Sequence, residues 1–117
     1  MKIFKSLIFT LAVIFLVSCG DSNPAITHIT VKSDRLGVLL DTDDRATVKV
    51  LQKIFYEKEE QPDAGPEFKY FIDLTINNKT QRWQYSIEGY IRNYEIINGM
   101  IYQLKDVAEF NRKAMIH

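Results

Sequence analysis

Phe68-Lys69-Tyr70-Phe71-Ile72-Asp73-Leu74-Thr75-Ile76-Asn77-Asn78-Lys79-Thr80-Gln81-Arg82-Trp83-Gln84-Tyr85-Ser86-Ile87-Glu88 alternates apolar and polar side chains on both sides of an asparagine pair. Successive side chains of a strand point to opposite faces. Phe68, Tyr70, Ile72, Leu74 and Ile76 therefore share one face, and Lys69, Asp73, Thr75 and Asn77 share the other with Phe71. Asn77-Asn78-Lys79-Thr80 is turn chemistry. Beyond it Trp83, Tyr85 and Ile87 fall on one face, opposite Arg82, Gln84, Ser86 and Glu88. The period of two predicts a hairpin with one buried aromatic-aliphatic face and one wetter face.

Downstream, Glu88-Gly89 breaks the pattern, and Tyr90–Ile97 and Met100–Leu104 flank Asn98-Gly99, a strong hairpin signal. Asp106-Val107-Ala108-Glu109 has capping-box spacing with Asp as cap, and Val107, Phe110 and Ala114 form the stripe of a short helix. Upstream, Glu57 to Pro66 reads as a loop enforced by charge, Pro and Gly. Before it, Val48, Leu51, Ile54 and Phe55 make the apolar stripe of a helix from about Asp43 to Glu59, with Lys49, Gln52, Lys53 and Glu57 opposite. Asp41-Thr42-Asp43-Asp44 has carboxylates spaced like the opening of a calcium loop, but Arg45, Ala46 and Gln52 stand where ligands and the required Gly belong. It reads instead as a helix start, with Thr42 as cap and Asp43 and Asp44 in the first turn.

Ordered sequence begins near Ala25, where Ile26, His28, Thr30 and Lys32 alternate with Thr27, Ile29, Val31 and Ser33 as in a strand. Ser33-Asp34-Arg35 is a turn, and Leu36 to Leu40 is a second strand or the approach to the helix. The pattern predicts an α+β domain: an antiparallel sheet of about four to five strands, with one long helix and one short C-terminal helix packed on one face.

Leu16-Val17-Ser18-Cys19 closes a short N-terminal segment with Lys2 and Lys5 ahead of an apolar run from Leu7 to Val17. That run is too short for a bilayer, which needs about 20 apolar residues. The segment resembles the lipobox signal of bacterial lipoprotein precursors. The resemblance implies residues 1–18 as a cleaved signal peptide, a diacylglycerol (with palmitate-type chains) on Cys19, and residues 19–25 as a flexible tether to a single domain, 26–117. Two or more acyl chains hold a protein stably on a membrane without a spanning helix. Gly20 after the cysteine, in place of Asp, leans toward an outer membrane facing the periplasm in a Gram-negative source, or otherwise the outer face of the cytoplasmic membrane. The rest of the chain is similar to small bacterial lipoproteins of the Bacillus type. The matching stretches are Ile29 to Phe55, Tyr70 to Ile91 (with Trp83-Gln84-Tyr85 and Gly89-Tyr90-Ile91) and Ile101 to Phe110. That family implies no catalytic residues.

Removing Lys2 and Lys5 with the leader leaves 13 basic against 15 acidic side chains, a net charge of about −2. Nucleic-acid binding, which needs a basic excess, is not expected. With one cysteine no internal disulfide forms, and stability must come from an apolar core. His28 and a terminal His117 are the only histidines, so neither a metal site nor a cofactor is expected. Glu88 and Asp73 could form a carboxylate pair for glycoside chemistry, but surface carboxylates on strands are commoner as solvated charges, and no nucleophile elbow, phosphate loop or dinucleotide fingerprint is present. The sequence therefore points away from an enzyme and toward a membrane-tethered binding module for an envelope protein or cell-wall polymer. A toxin-neutralising or immunity-type inhibitor and a structural envelope-assembly accessory are the alternatives. The expected binding surface is the sheet face that the helices leave open: Phe71, Arg82, Gln84, Ser86 and Glu88, with Tyr90 and Tyr94 nearby, while Trp83 and Tyr85 belong to the core.

Overall fold

A computed structural model describes residues 23–117. The expected signal peptide, Cys19 and the first part of the tether lie outside the described residues. The elements are β1 (Ile26–Ser33), β2 (Gly37–Thr42), α1 (Arg45–Tyr56), β3 (Glu59–Glu60), β4 (Tyr70–Ile76), β5 (Lys79–Tyr85), β6 (Tyr90–Asn93), β7 (Ile101–Gln103) and α2 (Val107–Lys113). The strands form one antiparallel sheet in the order β2-β1-β4-β5-β6-β7-β3.

The hairpin at the centre is β4–β5, paired from Tyr70 opposite Tyr85 to Ile76 opposite Lys79. Its two-residue turn is Asn77-Asn78, with φ of 52° and 63°. Two successive left-handed residues twist in the same sense as the flanking strands, and Asn tolerates that conformation better than most residues. Ile72, Leu74, Trp83 and Tyr85 then point inward together with Ile29, Val31 and Ile91. Val48, Leu51, Ile54 and Phe55 of α1 and Phe110 of α2 close over the same side, joined by Leu104, Ala114 and Ile116. Both helices thus lie on one face of the sheet, as α+β packing requires.

The sheet is larger than four to five strands. Gly37 to Leu40 resolves as the start of strand β2, which runs on through Thr42 opposite Ile29, while Leu36 stays in the turn before it. Pairing holds Thr42 extended, so it cannot cap the helix. Asp44 caps instead: its carboxylate accepts hydrogen bonds from the Thr47 backbone N–H at 3.0 Å and from Thr47 Oγ1 at 2.8 Å. Thr42 contributes one step earlier, its Oγ1 accepting from the Asp44 N–H at 2.9 Å. The helix starts at Arg45 and stops at Tyr56, short of Glu59, because Glu59 and Glu60 pair with Gln103 and Tyr102 as an edge strand.

Three further departures follow from irregular backbone. A register shift between Ile26 and His28 puts Ile26 on the core side with Ile29 and Val31, where strict alternation grouped it with His28. Strand β5 ends at Tyr85, because Ser86 to Gly89 form a tight turn in which the Gly89 N–H donates to the Ser86 carbonyl at 2.9 Å. The Ser86 hydroxyl is fully buried and accepts from the Tyr90 N–H at 3.2 Å, while Ile87 is exposed. Gly89 has φ +94°, and a Cβ there would sit 2.3 Å from Val107 Cγ2, so only glycine lets α2 close against the turn. The last hairpin joins β6 to β7 through a loop, Tyr94 to Met100, in place of two long strands meeting at Asn98-Gly99. Asn98 keeps its turn role there with φ 55°. Asp106 caps α2 as the box spacing predicts, accepting from the Glu109 N–H at 3.3 Å.

Candidate functional site: the open face of the sheet

The face away from the helices is built in rows, because residues paired across neighbouring strands share a side. One row runs Val38, Lys32, Phe71, Gln84, Arg92, Ile101. The next runs Asp41, Thr30, Asp73, Arg82, and the Tyr94 N–H extends it by donating to the Arg82 carbonyl at 2.9 Å. A third holds His28, Thr75 and Thr80. The strands send Ile29, Val31, Ile72, Leu74 and Ile91 to the core and Lys32, Asp73, Arg82, Gln84 and Arg92 here.

Arg82 is the hub. Its Nε and Nη2 grip the two oxygens of Asp73 at 2.8 and 3.0 Å, a planar fork on a planar carboxylate. Lys32 Nζ adds a longer contact to Asp73 at 3.5 Å. The Arg82 hydrogen bonds hold the Asp73 carboxyl below its ordinary range, against burial that pushes it up. The same guanidinium lies 5.0 Å from the centre of the Phe71 ring, and Tyr94 meets that ring edge-on at 5.4 Å. Arg92 makes a second unit. Its Nε and Nη2 both donate to Gln84 Oε1, at 3.1 and 2.9 Å, and its guanidinium lies over the Phe68 ring, 5.0 Å from the centre. Toward the β2 edge, His28 Nε2 bonds Asp41 Oδ1, which also accepts from Thr30 Oγ1 at 3.0 Å. The His28 and Thr30 hydrogen bonds draw the Asp41 carboxyl below its usual range.

Of the expected face residues, the structure brings Phe71, Arg82, Gln84 and Tyr94 together. Tyr90 shares their side through its pairing with Gln103, one row further along. Ser86 and Glu88 do not belong: Ser86 is buried and Glu88 is exposed in the β5–β6 turn. Three members were missed. Arg92 has the strand parity of Tyr90 and Tyr94, a signal available in the sequence, and Lys32 has that of Thr30. Phe68 was assigned to the buried side, yet it precedes the regular pairing of β4 and its ring turns to Arg92.

As a chemical site, the face offers two guanidinium groups over aromatic rings, bordered by amides and hydroxyls. Asp73 is an ion-paired carboxylate whose proton affinity is shifted opposite to that of a general acid. A cavity of 540 Å³ lies elsewhere, beside α1 between Val50, Lys53 and Tyr56, and Glu57 is its one carboxylate. Among the described residues no three of His, Cys, Asp and Glu gather as metal ligands, and no helix is long and apolar enough to cross a membrane.

The opposite side holds one feature that sequence reading missed. Lys58, just after α1, points its ammonium at the Phe55 ring, 4.0 Å from the centre, with Tyr102, Trp83 and Tyr56 at 5.3, 5.4 and 5.6 Å. Its Nζ donates to the Phe55 carbonyl at 3.4 Å, and burial lowers its pKa. The aliphatic stem closes the edge of the core while the charge rests on ring faces.

Nearer the chain's start, the Tyr56 hydroxyl donates to the Pro24 carbonyl at 2.8 Å and Gln52 Oε1 accepts from the Ile26 N–H at 2.8 Å. No protein family model, curated protein or solved structure matches this chain.

Proposed function

We propose that this chain is a lipid-anchored protein of the bacterial cell envelope whose open sheet face binds an envelope protein or a cell-wall component. The anchor rests on Leu16-Val17-Ser18-Cys19 and the basic, apolar leader before it. The binding role rests on one observation: the face without helices carries Arg82 and Arg92 with their guanidinium carbons 5.0 Å over the Phe71 and Phe68 rings, and Tyr94 edge-on to the Phe71 ring. Arginine and aromatic side chains fixed by their neighbours lose little entropy on binding, and these types dominate interface centres. A lipid tether raises local concentration at the envelope, so one modest surface suffices.

Catalysis is not part of this reading, since Asp73 is committed to Arg82 and Lys32. Nor is permanent assembly into a larger structure. The exposed large apolar side chains are spread over separate segments, Leu36 and Val38 at the β1–β2 turn, Ile87 in the β5–β6 turn, Tyr94 to Met100 in the β6–β7 loop and Met115 after α2.

The test uses the full chain, purified with its lipid, and isolated envelope separated into protein and wall-polymer fractions. Arg92→Ala and Tyr94→Ala should each weaken retention by one fraction at least about tenfold, the scale of an interface hot spot. Lys53→Ala, on the helix side, should leave it unchanged. Equal retention of all three variants would refute the face as the binding surface. Mass spectrometry finding an unmodified Cys19 in membrane-bound protein would refute the anchor.

A further inference from the structure

Of the exposed apolar side chains, Leu36, Val38 and Ile87 lie toward one end of the sheet, Tyr94, Ile96, Ile97 and Met100 toward the other, where the chain enters, and Met115 stands apart after α2. Strand β1 begins at Ile26, opposite Ile76, which in turn faces Lys79 at the start of β5. Strand β6 runs antiparallel to β5, so beyond Asn93 it heads back toward that same Lys79 end. The loop it enters, Tyr94-Glu95-Ile96-Ile97-Asn98-Gly99-Met100, carries Tyr94 at 55%, Ile96 at 56% and Ile97 at 90% exposure. Leu36, in the β1–β2 turn, belongs to the far end with Ser33, which pairs with Tyr70.

An isoleucine nine-tenths exposed at a loop tip, next to a second isoleucine and a tyrosine, is costly to leave in water. We infer that the β6–β7 loop dips into the lipid bilayer to which Cys19 is attached, its aliphatic tip, Ile96 and Ile97, entering the acyl boundary. The inference rests on the lipid-anchor reading above, and two features select lipid as the occupant.

The first is reach. Strand β6 is three strands from β1, about 14 Å at ordinary strand spacing. Pro24 is pinned to Tyr56, so the tether leaves the domain from a fixed point. The five residues from Cys19 to Asn23 span at most about 18 Å. An acylated Cys19 would hold the entry end within that distance of the membrane, with the loop at the same end of the sheet.

The second is composition. Within Tyr94 to Met100 the only charge is Glu95, next to the tyrosine. Bare aliphatics at a loop tip suit the boundary of the acyl chains. Docked this way, the sheet stands on its end and the Arg82–Arg92 face points sideways, free for a partner beside the protein.

The experiment reconstitutes the full lipidated chain into vesicles of phosphatidylethanolamine and phosphatidylglycerol. An environment-sensitive fluorophore is placed through Ile97→Cys and, in a separate protein, through Leu36→Cys, with its attachment site confirmed by peptide mapping. The expected result is a blue-shifted emission at position 97, quenched by lipids labelled in the acyl region, and a water-like signal at position 36. A second readout avoids the label. Ile96→Ser with Ile97→Ser should leave the fold intact by Trp83 fluorescence yet raise the fraction released by salt and mild detergent several-fold, where Leu36→Ser does not. A water-like signal at position 97 in protein that still floats with the vesicles would overturn the loop inference alone. Loss of flotation by the unsubstituted chain would overturn the anchor and the loop inference together.

Discussion

The two faces of the sheet are stabilised in opposite ways, although they are made by the same strands. On the helix side, Ile29, Val31, Ile72, Leu74, Tyr85 and Ile91 are closed off from water, and the main side-chain hydrogen bond there is the one from Tyr85 to Asn111. On the open side, nearly every long side chain is paired with one on a neighbouring strand: His28 with Asp41, Arg82 with Asp73, Arg92 with Gln84. Packing is non-directional and roughly proportional to area, whereas each of those pairs fixes an angle and a register. The core face supplies the stability. The open face supplies a surface whose shape is already set before anything binds.

That contrast can be broken most strongly from the core side. Ile72 is fully buried in the central strand, so Ile72→Ala leaves a cavity that its neighbours cannot fill. A loss of about 3 kcal/mol is expected, within the usual range for such truncations. It is read as a lower urea midpoint with an unchanged slope.

A middle-sized effect comes from a polar link through the core. Tyr85 donates to Asn111 Oδ1 at 2.6 Å, and Asn111 Nδ2 donates to the Ile87 carbonyl at 2.9 Å, tying α2 to the end of β5. Burial, with Glu88 and Tyr70 adding to it, keeps the Tyr85 hydroxyl protonated through the alkaline range. Tyr85→Phe keeps the ring but strands Asn111 Oδ1, and should lower stability by about 1–2 kcal/mol in the same urea titration.

The smallest effect belongs to the open face. Asp73 is depressed by Arg82, and the side chain of Arg82 is 38% exposed, so water screens the pair and Asp73→Asn should cost no more than about 1 kcal/mol at neutral pH. Its sharper signature is pH dependence. A carboxylate whose folded pKa lies below its unfolded one contributes stability above the unfolded pKa, near 3.9, and loses it as pH falls through the folded value. Urea midpoints measured from pH 6 down to pH 2 should therefore fall less steeply for Asp73→Asn than for the unsubstituted chain. An equal slope would remove the pair from the acid response.

The sequence was most informative where local pattern and pairing agree. Alternation from Tyr70 to Tyr85, the asparagine turn, the Val48-Leu51-Ile54-Phe55 stripe and the Asp106 cap are each decided by neighbours close in the chain. The helix-free face was legible for the same reason, since strand parity alone groups Phe71 with Arg82 and Gln84. What failed was decided by distant partners or by an irregular residue. The shift beside Ile26 needs Ile76 and Thr75 to become visible, and Glu59-Glu60 is a strand only because Tyr102 and Gln103 offer an edge. Ser86 and Glu88 kept the alternation on paper, but the turn closing on Gly89 ended the strand first. Phe68 turned the other way because no strand pairing holds its backbone.

Hydroxyl-radical footprinting of the full chain, in native envelope and as purified protein, tests the binding face most directly because it reads side chains one by one. In the envelope, Phe68 and Phe71 should be labelled several-fold more slowly than in the purified protein, while Met115 and Tyr56 on the helix side keep their rates. Unchanged labelling of Phe68 and Phe71, or protection confined to Met115 and Tyr56, would contradict the assignment of the open sheet face as the binding surface.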